Sequence, residues 1–166
     1  MISLKLREQL MTFIITSTAF KHNDRIPDKF TCKGQNVSPH LEWNDAPLDT
    51  KSFVLIMDDP DAPVEIAPPH GIWDHWIIYN IPASITELSE GQIDNNIKIL
   101  NNSWKEKKYG GPCPPAGKPH RYFFKLYALN DYLELDENAS KQDLVLALQK
   151  HLLAETELIG IYSIDK

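Results

Sequence analysis

The sequence predicts a mainly β protein, an antiparallel β-sandwich with a helical appendage near the C-terminus. Three observations lead there. Short apolar runs rich in β-branched and aromatic residues recur between clusters of Pro, Gly, Asn and Asp, the pattern of strands joined by tight turns. Residues 122–129 alternate, with Tyr122, Phe124, Leu126 and Ala128 on one face and Phe123, Lys125, Tyr127 and Leu129 on the other. Only near the C-terminus does the period change. There Leu144, Ala147, Leu148, His151 and Leu152 recur at helical spacing behind Ser140 and Asp143, which fit a capping box. Many short strands with one clear helix suit stacked sheets.

In chain order, a first strand is expected at residues 13–17, rich in β-branched side chains. Residues 18–38 are polar, with turn signals at Asn23-Asp24 and Lys33-Gly34. A short strand falls within 37–43, where Pro39 limits it to an edge or a bulge. After a turn at 45–51, residues 53–57 are continuously apolar, as in a strand buried on both faces. A proline-bearing loop covers 64–71, and a second central strand covers 76–81 until Pro82 ends it. Residues 84–91 read as loop or a short turn of helix, and 97–100 as a further strand. A charged, then Gly/Pro-rich loop over 105–119 leads into the alternating strand at 122–129. The helix is expected over 141–154 and a closing strand over 158–164.

The 166 residues suit one domain with a sizeable core, expected over 13–166, with 1–12 an N-terminal extension and Met11 an alternative start. A net charge of −6 argues against sequence-independent binding to nucleic acid, which needs a basic face. No apolar run approaches the roughly 20 residues of a membrane span. Lys5, Arg7 and Glu8 interrupt the N-terminus, which has no apolar stretch followed by a cleavage site. A cytoplasmic protein is therefore expected. Two cysteines, Cys32 and Cys113, are too few for a disulfide scaffold. The first expectation is a pair of unpaired thiols in a reducing compartment; a single bridge, a metal role and a catalytic role stay open.

The chemistry gathers in two stretches. Asp59 and Asp61 flank Pro60 at the end of one apolar run, and His75 opens the next. Proline stiffens that turn, so the two carboxylates are held in defined positions. The bland reading makes them turn residues bonding local amides. His120 stands at the start of the later strand, behind Gly110-Gly111. Two imidazoles at strand mouths, with Trp73, Trp76 and Tyr122 nearby, point to a shared pocket. Histidine donates to anions, and glycine backbone can approach a ligand and offer amides. Asp59 and Asp61 would orient and charge the imidazoles. A metal site built from Asp59, Asp61, His75 and His120 and a Cys113–His120–Asp nucleophile are the rival readings. There is no P-loop, GxGxxG or GxSxG motif, and His70 has no strand position.

Taken together, DPDAP at 59–63, DHW at 74–76 and GPCPPAGKPHRYFFKLYAL at 111–129 resemble the phosphatidylethanolamine-binding protein family, most closely its bacterial and archaeal Raf-kinase-inhibitor-like branch. IPDKFTCKGQNVSPHLEW at 26–43 and LIGIY at 158–162 match it too. The resemblance implies a Greek-key β-sandwich with peripheral helices and a small pocket for anions such as phosphate, acetate or a phosphoryl head group. It implies no cofactor and no metal. Carried over by motif, the ligand-binding set is Asp59, Asp61, Trp73, His75, Gly111, Pro112, His120 and Tyr122. Cys32 and Cys113 both lie in matched regions, which makes a bridge near the pocket a point to check. GPCPPAG departs from the shorter loop of animal members. A non-enzymatic binding protein is the first functional reading. A kinase or protease inhibitor regulated through the same pocket, and a His/Asp-dependent hydrolase, are the alternatives. Monomer and homodimer both remain open.

Overall fold

Side-chain alternation decides where the sheets form. The structure, a computed structural model of the chain, describes residues 12–67 and 71–166. Residues 1–11 of the expected extension, the Met11 start and positions 68–70 of the expected loop lie outside the described residues. Eight strands appear among those described: β1 (Ile14–Thr16), β2 (Leu41–Asn44), β3 (Ser52–Asp59), β4 (Trp73–Pro82), β5 (Glu87–Leu88), β6 (Lys98–Leu100), β7 (His120–Leu129) and β8 (Leu152–Tyr162). They form a small sheet ordered β1-β2-β5 and a large one ordered β6-β4-β3-β7-β8. All named strand pairs are antiparallel. Within the large sheet, β7-β3-β4-β6 is a Greek-key order: three strands in succession, the next returning beside the first. The expected sandwich is therefore the fold.

The large sheet is buried on both faces, and β3 runs through its middle with every residue buried. Phe53, Leu55 and Met57 point into the core between the sheets, with Trp76, Tyr122, Phe124 and Trp43. Val54 and Ile56 point the other way, onto Leu144 and Leu148 of α1 (Lys141–Gln149), the one α-helix among the described residues. The continuous apolar run at 53–57 thus answers to two separate cores. α1 opens with the expected capping box, Ser140 accepting from the Asp143 amide and the Asp143 carboxylate accepting from that of Ser140.

Three expectations need correction. The helix ends at Gln149, not at residue 154, because Leu152 and Ala154 pair with β7. That long hairpin satisfies more backbone than another helical turn would, and it starts the last strand six residues early, at Leu152 instead of 158. Residues 84–91 contain a two-residue strand, β5, with Leu88 buried; so brief an alternation carries no readable period. Among the described residues the other peripheral helical segment is a 3-10 turn, Asp28–Phe30.

Beneath α1 lies a cluster of charges. Asp58, 2% exposed, pairs across the sheet with Asp74. Lys125 Nζ of β7 donates to Asp58 Oδ2 at 2.9 Å. Lys141 Nζ, from the first residue of α1, donates to Asp74 and lies 3.8 Å from Asp58. Opposed like charges destabilise a strand pair, so the two ammonium groups are required where these carboxylates meet. Breaking a buried ion pair costs about 3–5 kcal/mol, because a charge stays behind unpaired. Lys125→Met should approach the lower end of that range in urea unfolding, and adding Asp58→Asn should recover most of the loss. An unchanged midpoint in the single variant would show that the cluster contributes nothing.

Candidate ligand-binding site

The end of β3 and the starts of β4 and β7 meet at one edge of the large sheet. They bring Asp59, Trp73, His75, His120 and Tyr122 around a cavity of about 380 Å³. His75 and His120 are strand residues, since both strands begin earlier than the apolar runs suggest. In β4, Trp76 pairs with Met57 and Asp74 with Asp58, so His75 is an extra residue between them. Such a bulge re-aims a side chain. Strict alternation would send His75 towards α1; the bulge puts it on the same side as Trp76, facing the cavity.

Each imidazole is held through Nδ1. His75 donates from Nδ1 to the Gly110 carbonyl at 2.7 Å, and Gly110 N–H donates back to the His75 carbonyl at 3.0 Å. His75 is 2% exposed, with Trp104 and Tyr122 edge-on at 5.1 and 5.2 Å. Burial pushes its pKa down to about 4, outweighing the carbonyls of Gly110 and Gly111 that favour the protonated ring. His120 donates from Nδ1 to Asp59 Oδ2 at 2.7 Å. Asp59 Oδ1 accepts the Asp61 amide at 2.8 Å. Burial raises the Asp59 carboxyl above its ordinary range, and the bond from His120 works against that rise.

Asp61 does not line the cavity. Its carboxylate takes both guanidinium contacts from Arg121, 2.9 Å each, and the Arg121 amide at 2.9 Å. The Arg121 guanidinium holds this carboxyl below its usual range. Asp61 thus latches the proline turn to the start of β7, and Asp59 is the acid that reaches the imidazole.

The glycine loop behaves differently from expectation. Gly110 N–H is spent on the His75 carbonyl and Gly111 N–H donates to Asn36 Oδ1 at 2.8 Å, so neither amide is free for a ligand. Gly111 and Pro112 do not line this cavity. The need for glycine at 110 and 111 is a packing one: a Cβ on Gly110 would enter the Trp104 indole, and one on Gly111 the Phe30 carbonyl and Asn36 Oδ1. That close approach joins the two cysteine loops. Cys32 and Cys113 form a disulfide, Cα atoms 5.4 Å apart, which corrects the first expectation of unpaired thiols. It also removes Cys113 as a nucleophile, although this residue lines the cavity.

Sequence reasoning missed Trp104, Ile66 and the Pro114-Pro115 wall, all of which line the cavity. Trp104 sits in a turn built by the buried Asn102, whose Oδ1 accepts the amides of Trp104 and Glu106 and whose Nδ2 donates to the Lys108 carbonyl. An Asn two residues before a Trp was the available signal. Tyr122 Oη and Trp73 Nε1 are sealed from solvent with no hydrogen-bond partner among the described residues. Among the described residues, the grouping with converging metal-type ligand atoms is His40, Glu42 and Glu87, away from this cavity. There His40 Nδ1 accepts the Thr18 amide and Nε2 donates to Glu87, so neither nitrogen offers a lone pair.

The sequence profile described as phosphatidylethanolamine-binding protein matches residues 16–163. A UPF0098 protein of Methanothermobacter thermautotrophicus is 45% identical over 150 residues, covering 87% of this chain and 94% of its own. A phosphatidylethanolamine-binding protein homologue from Chlamydia trachomatis superposes with a TM-score of 0.87 at 38% identity, over 93% of this chain and 99% of that one. Escherichia coli YbcL gives 0.83 at 32% identity, over 92% and 99%.

The buried His75 makes stability depend on pH. Between about 4 and its ordinary 6.5 the unfolded chain protonates this ring while the folded one does not. The contribution is complete above 6.5 and is lost as pH falls towards 4. Set against His75→Gln, the wild type should lose roughly 3 kcal/mol of relative stability across that window. The raised carboxyls of Asp59 and Asp74 act in the opposite sense and cancel in the difference. Parallel stability–pH curves would mean that His75 titrates normally.

Proposed function

The chain belongs to the phosphatidylethanolamine-binding protein family, and we propose that it is a non-enzymatic binding protein whose cavity holds a small anionic group, phosphoryl or carboxylate, between His75 and His120. One observation carries this reading. Both imidazoles are fixed through Nδ1, and neither Nε2 has a partner among the described residues or is sealed from space. Two such nitrogens in an aromatic-walled cavity form a preorganised polar pair in an otherwise apolar site. Asp59 serves as the counter-ion that lets His120 act as a charged donor. Trp73 and Tyr122 supply walls.

Binding without turnover is supported by the make-up of the wall. Among the described residues it contains no Ser or Thr, its cysteine is in a disulfide, and burial holds the Tyr122 hydroxyl protonated. A covalent route would have to start from Asp59 or an imidazole. A second reading, a kinase or protease partner docking over the pocket, draws on Ile66 and Trp104, which line the cavity and are 57% and 42% exposed.

Titration calorimetry with inorganic phosphate and with phosphoethanolamine tests the site. His120→Ala should weaken binding about tenfold or more, the loss of one charge-assisted hydrogen bond. Identical affinity in the variant would remove His120 from the site. Turnover of phosphoester or ester panels, lost in the same variant, would favour the hydrolase instead.

A further inference from the structure

The two imidazoles are not equivalent, and the difference sets what they accept. The Gly110 carbonyl can only accept a hydrogen bond, so at 2.7 Å His75 Nδ1 carries a proton. The neutral ring then has its lone pair on Nε2. A second proton is opposed by the surroundings: the ring is almost fully buried, packed edge-on against Trp104 and Tyr122, with a carbonyl and no carboxylate bonded to it. His120 is the opposite case. Its Nδ1 donates to Asp59, whose other oxygen is already occupied by the Asp61 amide, so Asp59 serves as a pure acceptor. An imidazolium here has a counter-ion on one side and a free N–H on the other. The cavity therefore offers one acceptor and one charged donor.

The charge balance points the same way. Among the described residues, no Lys or Arg lines the cavity. Arg121, the cation nearest in sequence, is committed to Asp61. Asp74 lies on the reverse face of β4 with Lys141, and Tyr109 and Tyr122 stay uncharged. An imidazolium at His120 and the Asp59 carboxylate beside it sum to zero. A ligand with one negative charge leaves a single uncompensated charge, and one with two leaves two, in a largely apolar wall.

We propose that the pocket selects a singly ionised, still-protonated phosphoryl group, which donates its P–OH to Nε2 of His75 and accepts from Nε2 of His120, over fully deprotonated oxyanions. This rests on the anion-binding reading above and narrows it. A carboxylate, sulfate or a doubly ionised phosphomonoester presents only acceptors, and would place a lone pair against that of His75.

Inorganic phosphate and sulfate separate these cases, because they share a shape while sulfate carries no proton between roughly pH 5.5 and 8.5. Calorimetry on the wild-type protein at constant ionic strength should find phosphate bound about tenfold or more tighter than sulfate near the acid end of that range. For phosphoethanolamine, whose doubly ionised form keeps no P–OH, the affinity ratio to sulfate should fall about tenfold per pH unit once its second proton is lost. Protonation of His120 affects both ions and cancels in the ratio. His75→Gln, whose amide can donate, should raise sulfate towards phosphate. Equal affinities with a ratio independent of pH would overturn the selectivity while leaving an anion pocket in place. Failure of the wild type to bind either ion would overturn the anion-binding reading as well.

Discussion

Asp58 and Asp74 face each other across β3 and β4, two carboxylates in directly opposed positions, and the pocket depends on how that repulsion is answered. Lys125 and Lys141 answer it from β7 and from the start of α1. The cluster thereby ties together the four elements behind the cavity. Each of its acids is the sequence neighbour of a pocket residue on the other face: Asp58 of Asp59, and Asp74 of His75. Adjacent residues of a strand point opposite ways, so pinning the rear pair fixes the front pair. The bulge at His75 completes the arrangement. Without it, the strand that anchors Asp74 behind the sheet could not also present His75 and Trp76 together in front.

The front of the same strand ends is held by a second set of contacts. Asp61 grips Arg121, which fixes the proline turn against β7 at the point where Asp59 meets His120. Gly110 grips His75 by two hydrogen bonds, and the loop behind it is fastened by Asn36 and the Cys32–Cys113 bridge. The disulfide spans 81 residues of sequence. Closing a loop of that length can stabilise the folded state by roughly 4 kcal/mol in the chain-entropy view. The loop thus acts as a rigid wall that orients an imidazole, and the amides of Gly110 and Gly111 have no spare capacity for a ligand.

Much of this was legible in the chain. The uninterrupted run at 53–57 marks a strand with two cores, and the alternation at 122–129 marks one with a single apolar face towards the other sheet. Asp59, Trp73, His75, His120 and Tyr122 could be placed at one cavity because turn chemistry and apolar runs show where strands end. What stayed hidden depends on distant pairing. The early start of β8 follows from its partner β7, and the disulfide from a glycine approach between loops far apart in sequence. Asp61 and Asp59 look equivalent around Pro60; only the position of Arg121 separates latch from pocket acid. Trp104 enters through a turn whose organiser, Asn102, resembles any other loop asparagine.

The protonation states of the two rings carry the functional reading, and imidazole ¹⁵N–¹H correlation spectra observe them directly. In the free protein near neutral pH, His75 should give the neutral tautomer protonated at Nδ1. On addition of inorganic phosphate it should keep that form, while His120 shifts to the imidazolium. A charged His75 in the free protein, or no response of either ring to phosphate, would contradict a pocket that pairs one neutral acceptor with one charged donor.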